Sequence, residues 1–180
     1  QAVANSGSAE GSGLQIQNAG NGILSASVTG NRIFQFTNYG INLQAGAGIA
    51  LGGQLNLTVT GNTIATPSPN AAAISFPTNG IRLNSGVTPG DSFAVCAAIG
   101  GAGALANAAA GTGTLGAPDI RPWQRQATTV RLPGYGGANN DNSAVQAFVA
   151  GNNGGASVLA GNSVATGGGG FIGGAVCPTP

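Results

Sequence analysis

The hydrophobic and polar positions of this chain alternate in short, recurring blocks. GLQIQ at 13–17, GINLQ at 40–44 and GIRLN at 80–84 each place two apolar side chains, Leu14 and Ile16, Ile41 and Leu43, Ile81 and Leu83, on one side of an extended segment. Period two is the signature of a strand with one buried face. A second alternating run carries Leu55, Leu57 and Val59 against Asn56, Thr58 and Thr60 and ends in VTGNTI at 59–64. The same motif stands 31 positions earlier as VTGNRI at 28–33, and a weaker copy, LAGNSV, lies at 159–164. Gly-Asn supplies a pair that tolerates positive φ at a corner. One unit therefore predicts strand, turn, strand, corner. Only 141–150 breaks the pattern: Ala144, Val145, Phe148 and Val149 fall at helical spacing, Asp141 or Asn142 can cap the start, and Gly151 can end it.

A unit of two or three short strands cannot bury its own apolar face, whereas stacked copies can. The GIxL blocks begin 27 and then 40 residues apart, too far for hairpins with a turn every 8–12 residues or so. The fold expected is all-β: a right-handed parallel β-helix, a solenoid of about four to five coils, with one short helix near 141–150. DSFAVCAAI at 91–99 takes the second-strand place after GIRLN. A further coil would start at 119–121 and continue through 128–132, and 156–164 would make the last. The Pro-containing stretch 66–78 would bulge from a corner. Residues 1–13, short of large apolar side chains, read as an extended segment preceding a domain over 14–180 with a Gly-rich tail.

Composition sharpens this picture in three ways. Glycine is abundant, 34 of 180 residues, and charged residues make up only 5%, but hydrophobic residues reach 42%. Disordered chains combine low hydrophobicity with high net charge, so an ordered, backbone-paired β structure fits better. A net charge of +1 gives no reason to expect nucleic acid. All five basic residues are arginine, and so sparse a charge protects poorly against self-association; the alternative is that Ser, Thr and Asn suffice for solubility. No run of about 18 apolar residues exists to cross a membrane. The chain starts at Gln1 and contains no Met, which suggests a processed product or a piece of something longer. Cys96 and Cys177, the only cysteines, suggest one disulfide in a secreted chain; two free buried thiols are the alternative.

Candidate chemistry is thin. Parallel β-helices include polysaccharide lyases and hydrolases, which need paired carboxylates, metal-binding acids or a basic residue in a groove. The acids here are Glu10, Asp91, Asp119 and Asp141, and only Asp119 with Arg121 or Arg125 makes a plausible acid–base pair. Without His, the common Ser or Cys triads are excluded. The acids are too dispersed for calcium, and no cofactor is expected. GTGTLG at 111–116 fits GxGxxG but runs into Ala117-Pro118 rather than a helix. Asn56-Leu57-Thr58 is a formal glycosylation sequon. Trp123 and Tyr135 suit packing beneath a loop better than a sugar-stacking platform. Asn31 and Asn62 read as turn residues that could also stack as an amide ladder. No catalytic, cofactor-binding or metal-ligating residue is predicted.

VCAAIGGAGA at 95–104, TTVRLPGY at 128–135, the stretch 144–152 and the Gly-rich tail ending in Cys177 together resemble the C-terminal region of large, repetitive bacterial surface proteins with β-helix repeats. The resemblance spans roughly residues 20–180. It implies a secreted bacterial protein of the cell surface and offers no catalytic residues to transfer. The function expected is a structural subunit of an extracellular filament, not an enzyme. Subunits would join head to tail through coil ends, with Gln1, Ala2, Val3, Ala4, Leu14 and Ile16 as assembly residues. The alternative is a C-terminal cap or adhesion module of a large surface protein, in which the helix and tail cover the last coil; carbohydrate binding or cleavage comes third. The partner expected is the chain itself, with other surface proteins or glycans as further partners.

Overall fold

A computed structural model describes residues 11–65, 67–68, 77–164 and 168–180. Its strands are β1 (Leu14–Asn18), β2 (Ile23–Thr29), β3 (Arg32–Phe34), β4 (Tyr39–Ala45), β5 (Gln54–Thr60), β6 (Thr63–Ala65), β7 (Asn79–Ser85), β8 (Ala94–Ile99), β9 (Ile120–Gln126), β10 (Thr129–Pro133), β11 (Gly161–Val164) and β12 (Gly170–Gly174). The α-helix α1 spans Asn142–Gly151. Strands are dealt out to three sheets in turn. Sheet A has the order β1-β4-β7-β9-β11, sheet B β2-β5-β8-β10-β12, and sheet C holds β3 and β6. Every strand pairing among the described residues is parallel.

The alternation in the sequence sets the register. On sheet A, Leu14, Ile41, Ile81 and Ile120 align in one row, and Ile16, Leu43, Leu83 and Pro122 in the next. On sheet B, Leu24, Leu55, Val95, Val130 and Phe171 align, as do Val28, Val59 and Ile99. A one-residue slip would turn every one of these side chains to the other face, so the rows fix the pairing. The inner rows are buried and form one apolar cluster with Phe36, Ile64 and Phe93, while Leu14, Ile16 and Leu24 are partly buried against it at one end. Gly30 and Gly61 sit at the VTGN corners with φ of 67° and 64°, a left-handed conformation that glycine adopts without penalty.

The expected right-handed parallel β-helix of four to five coils is corrected by this arrangement. The three sheets are open stacks of parallel strands; they do not close, and they form no solenoid. The third sheet has two strands and ends at Ala65. The sequence explains why. After the corner asparagines Asn31 and Asn62 the chain supplies Ile33 and Ile64, which can anchor a strand. After Asn107 it supplies only Ala108-Ala109-Ala110, and after Asn153 only Gly154-Gly155. What remains at that side is a single bridge between Thr63 and Ala108, followed by α1.

The helix forms where its spacing predicts. Asp141 is the N-cap, and its carboxylate accepts from the Ala144 N–H at 3.0 Å. Val145 and Val149 are buried on the core side. Asn152 rather than Gly151 provides the C-cap. Cys96 on β8 and Cys177 in the tail form a disulfide with a Cα–Cα distance of 5.5 Å. Cys96 aligns with Asn56 and Arg131 on the outward row of sheet B, so the bond ties the tail across that face.

Candidate functional site

The two ends of the strand stacks differ in how their backbone groups are used. In a parallel ladder, successive residues direct their N–H and C=O to opposite sides. The Gly13 N–H donates to the Tyr39 carbonyl at 2.9 Å, so the backbone groups of Leu14 and Ile16 face away from β4. The Gln54 N–H donates to the Gly22 carbonyl, and the Gly30 N–H to that of Thr60. By the same alternation, Ile23, Ser25 and Ser27 of β2 direct theirs away from β5. Ile23 is 73% exposed. Among the described residues this N-terminal edge is therefore a row of donors and acceptors without strand partners, with apolar side chains beside it, the kind of edge that templates another strand.

The opposite edge is covered at Phe171 of β12. The Gly170 N–H donates to the Thr128 carbonyl, so Phe171 turns its backbone groups outward from β10. Both are taken. Phe171 N–H donates to Asn140 Oδ1 at 2.8 Å, and Asn140 N–H donates to the Phe171 carbonyl at 3.0 Å. Asn140 holds a φ of 62° to do this, a left-handed geometry that asparagine tolerates better than most residues. Beside it, Asn142 Nδ2 donates to Asn162 Oδ1 of β11 at 2.9 Å, which lays the start of α1 along the last strand of sheet A. Tyr135 packs edge-on against Phe148 with ring centroids 5.6 Å apart.

An amide ladder runs between these ends. Asn31 Nδ2 donates to Asn62 Oδ1 at 3.0 Å, Asn62 Nδ2 to Asn107 Oδ1 at 2.8 Å, and Asn107 Nδ2 to Asn153 Oδ1 at 2.8 Å. The backbone N–H groups of Asn31, Asn62 and Asn107 donate to the same oxygens. Each buried side chain also returns a hydrogen to a strand carbonyl: Asn62 to Val28, Asn107 to Val59, Asn153 to Ile99. The ladder has a direction, since each oxygen looks back toward the N-terminal end. It stops at α1, where Asn153 Nδ2 also donates to the Val149 carbonyl at 2.7 Å. At the other end, nothing among the described residues donates to Asn31 Oδ1. The turn-and-ladder reading of Asn31 and Asn62 thus extends to Asn107 and Asn153, which lie outside any VTGN motif and carry no local signal.

Gln1, Ala2, Val3 and Ala4 lie outside the described residues, while Leu14 and Ile16 stand on β1, the edge strand of sheet A among the described residues. Asp119 does not meet Arg121 or Arg125 in an ion pair. Its Oδ1 accepts from the N–H groups of Thr112 and Gly113 at 2.7 and 2.8 Å, and its Oδ2 from the N–H and hydroxyl of Ser157 at 2.9 and 2.8 Å. Burial acts to raise the carboxyl's pKa, but the hydrogen bonds from Gly113, Ser157 and Thr112 outweigh it and hold the pKa below the ordinary value. The glycine-rich turn at 111–116 therefore spends its N–H groups on an internal carboxylate. Asp91 is buried and accepts from Leu51 and Thr88 N–H groups. Among the described residues no three His, Cys, Asp or Glu side chains gather as a metal site. The sequon residue Asn56 is buried and donates to the Ser25 hydroxyl. Trp123 and Tyr135 share no platform: Trp123 lies on sheet A under Arg121, and Tyr135 is buried beside α1.

Comparison with known proteins finds no matching family model, no matching curated protein and no matching solved structure. No helix among the described residues is long and apolar enough to cross a membrane.

Proposed function

We propose that this chain is a non-enzymatic structural module of a secreted bacterial surface protein, which closes one end of a stack of parallel strands. Its occupant at the N-terminal edge is a further layer of parallel strands of the same kind, with an asparagine over Asn31. The carrying observation is the asymmetry of the two ends among the described residues: Leu14, Ile16 and Ile23 border backbone groups without a strand partner there, whereas Phe171 is hydrogen-bonded on its outer side by Asn140 and α1 shuts the ladder. Donors and acceptors left on a flat edge recruit strands, and a capped end stops them. A head-to-tail filament needs a receptive face at both ends, so the covered C-terminal edge favours the capping reading. The buried disulfide suits an oxidising, extracellular setting.

Negative-stain microscopy with sedimentation analysis of the purified chain tests this. Discrete particles, no larger than pairs joined edge to edge, are expected, and Ile23→Lys should abolish any pairing. Micrometre-long filaments would overturn the reading.

A further inference from the structure

Sheet A has a second, outward face, and its chemistry is one-sided. Gln15, Asn42, Arg82 and Arg121 align across β1, β4, β7 and β9. Gln17, Gln44, Asn84 and Trp123 form the neighbouring row, which ends on Gly161 of β11. A Cβ there would meet the indole at 3.0 Å, a tight contact that the glycine avoids. With strands about 4.8 Å apart, this polar track crosses roughly 14 Å of surface from β1 to β9.

Three of the five arginines converge at one end of the track. Arg82, Arg121 and Arg125 line a cavity of about 150 Å³ with Asn84 and Trp123. Their heads are held in place. The Arg82 guanidinium lies 4.6 Å from the Tyr39 ring centroid and that of Arg121 4.2 Å from the Trp123 ring, and Arg125 Nη2 donates to Asn84 Oδ1 at 2.6 Å. Cation–π contacts fix position without neutralising charge. No Asp or Glu among the described residues does so either: Asp91, Asp119 and Asp141 are bonded to backbone groups elsewhere. The Nε atoms of Arg121 and Arg125 are buried with no hydrogen-bond partner among the described residues. Burial first, and then the like charges of Arg121 and Arg125, push the Arg82 pKa down, against the opposing effect of Tyr39.

We propose that this face binds an acidic polysaccharide, the oxyanion of one sugar, a carboxylate or sulfate ester, seated among Arg82, Arg121 and Arg125. Preorganised guanidinium forks match planar or tetrahedral oxyanions and strengthen with each hydrogen bond to charge. Gln44 and Gln17 each donate one amide hydrogen to the Gly46 carbonyl and Gln15 one to Gln17 Oε1, and their remaining amide groups continue from the cavity as donors and acceptors for sugar hydroxyls, while Asn42 is buried beneath. Trp123 is covered by Arg121 on this face, so recognition rests on charge and hydrogen bonds rather than on ring stacking. The site is separate from the strand edges and stands independently of the capping reading.

Trp123 is the single tryptophan of the chain and lines the cavity, so its fluorescence reports occupancy. The intact, disulfide-bonded protein is titrated at low ionic strength with polygalacturonate, dextran sulfate, neutral dextran and a single-stranded oligonucleotide, by fluorescence and by calorimetry. Polygalacturonate or dextran sulfate should bind, the stronger of the two identifying the oxyanion, and neutral dextran should not. Arg82→Gln and Arg121→Gln should each weaken binding roughly tenfold, while Arg32→Gln should leave it unchanged. Should either variant lose its fold by circular dichroism, the salt dependence of the wild type decides, since a charge-led site must weaken as ionic strength rises. The proposal is overturned by binding to neither acidic polymer, by equal binding of neutral dextran, by tighter binding of the oligonucleotide, by indifference to the arginine substitutions, or by salt-independent affinity.

Discussion

Asn107 occupies the middle of the amide ladder, where it accepts from Asn62 and donates to Asn153 and to the Val59 carbonyl. Replacing it by Ala orphans buried partners on both sides. Asn107→Ala should lower unfolding free energy by on the order of 2–3 kcal/mol, whereas Asn31→Ala at the open end should cost under about 1 kcal/mol. Denaturant titration of the two variants checks the contrast; equal losses would mean the ladder is not cooperative. Asp119 gives a pH-dependent counterpart. Its folded pKa is depressed, so the stabilisation is complete above the unfolded value of roughly 3.9 and is lost as pH falls through the lower folded value. Thermal midpoints of the wild type should hold steady down to about pH 5 and drop below about pH 4. Asp119→Asn should be less stable at neutral pH and lose less on acidification. The sequence made Asn31 and Asn62 readable because Gly-Asn repeats in a fixed motif. Asn107 and Asn153 were not, because a side-chain amide stack leaves no local trace when the flanking residues are Ala and Gly.

The strands of sheets A and B were legible wherever side chains alternate. GIxL became β1, β4 and β7, the VTGN runs became β2 and β5, and α1 formed at its helical spacing. β12 was hidden, since GFIGG carries one inward apolar residue, Phe171, among glycines. The closed solenoid failed for a related reason. Period-two patterns fix the face a strand buries, but say nothing of whether a third strand completes each layer, and here the Ala- and Gly-rich corners supply none after β6. Pairing with β10 and the buried Phe171 place β12, and the cap at Asn140 and the disulfide just beyond it add to that. The Cys96–Cys177 bond spans 81 residues, which in the chain-entropy model is worth about 4–5 kcal/mol. Differential scanning calorimetry with and without reductant should show a large drop in melting temperature on reduction. An unchanged melting temperature would mean that the tail contributes little.

For the whole molecule, the parts point one way along the stack. The amide ladder is directional, its C-terminal rung is tied to α1, the disulfide fastens the tail, and among the described residues the N-terminal layer has an unpaired strand edge. The arginine cavity lies on the side of this stack, where adding a layer of strands would not obstruct it. Residue-resolved amide hydrogen exchange of the isolated chain measures the contrast between the two ends directly. The amides of Leu14, Ile16, Ser25 and Ser27 should exchange rapidly, and that of Phe171, bonded to Asn140, should be strongly protected. Phe171 exchanging as fast as the β1 and β2 edge amides would show an end that is not capped, and would contradict the account.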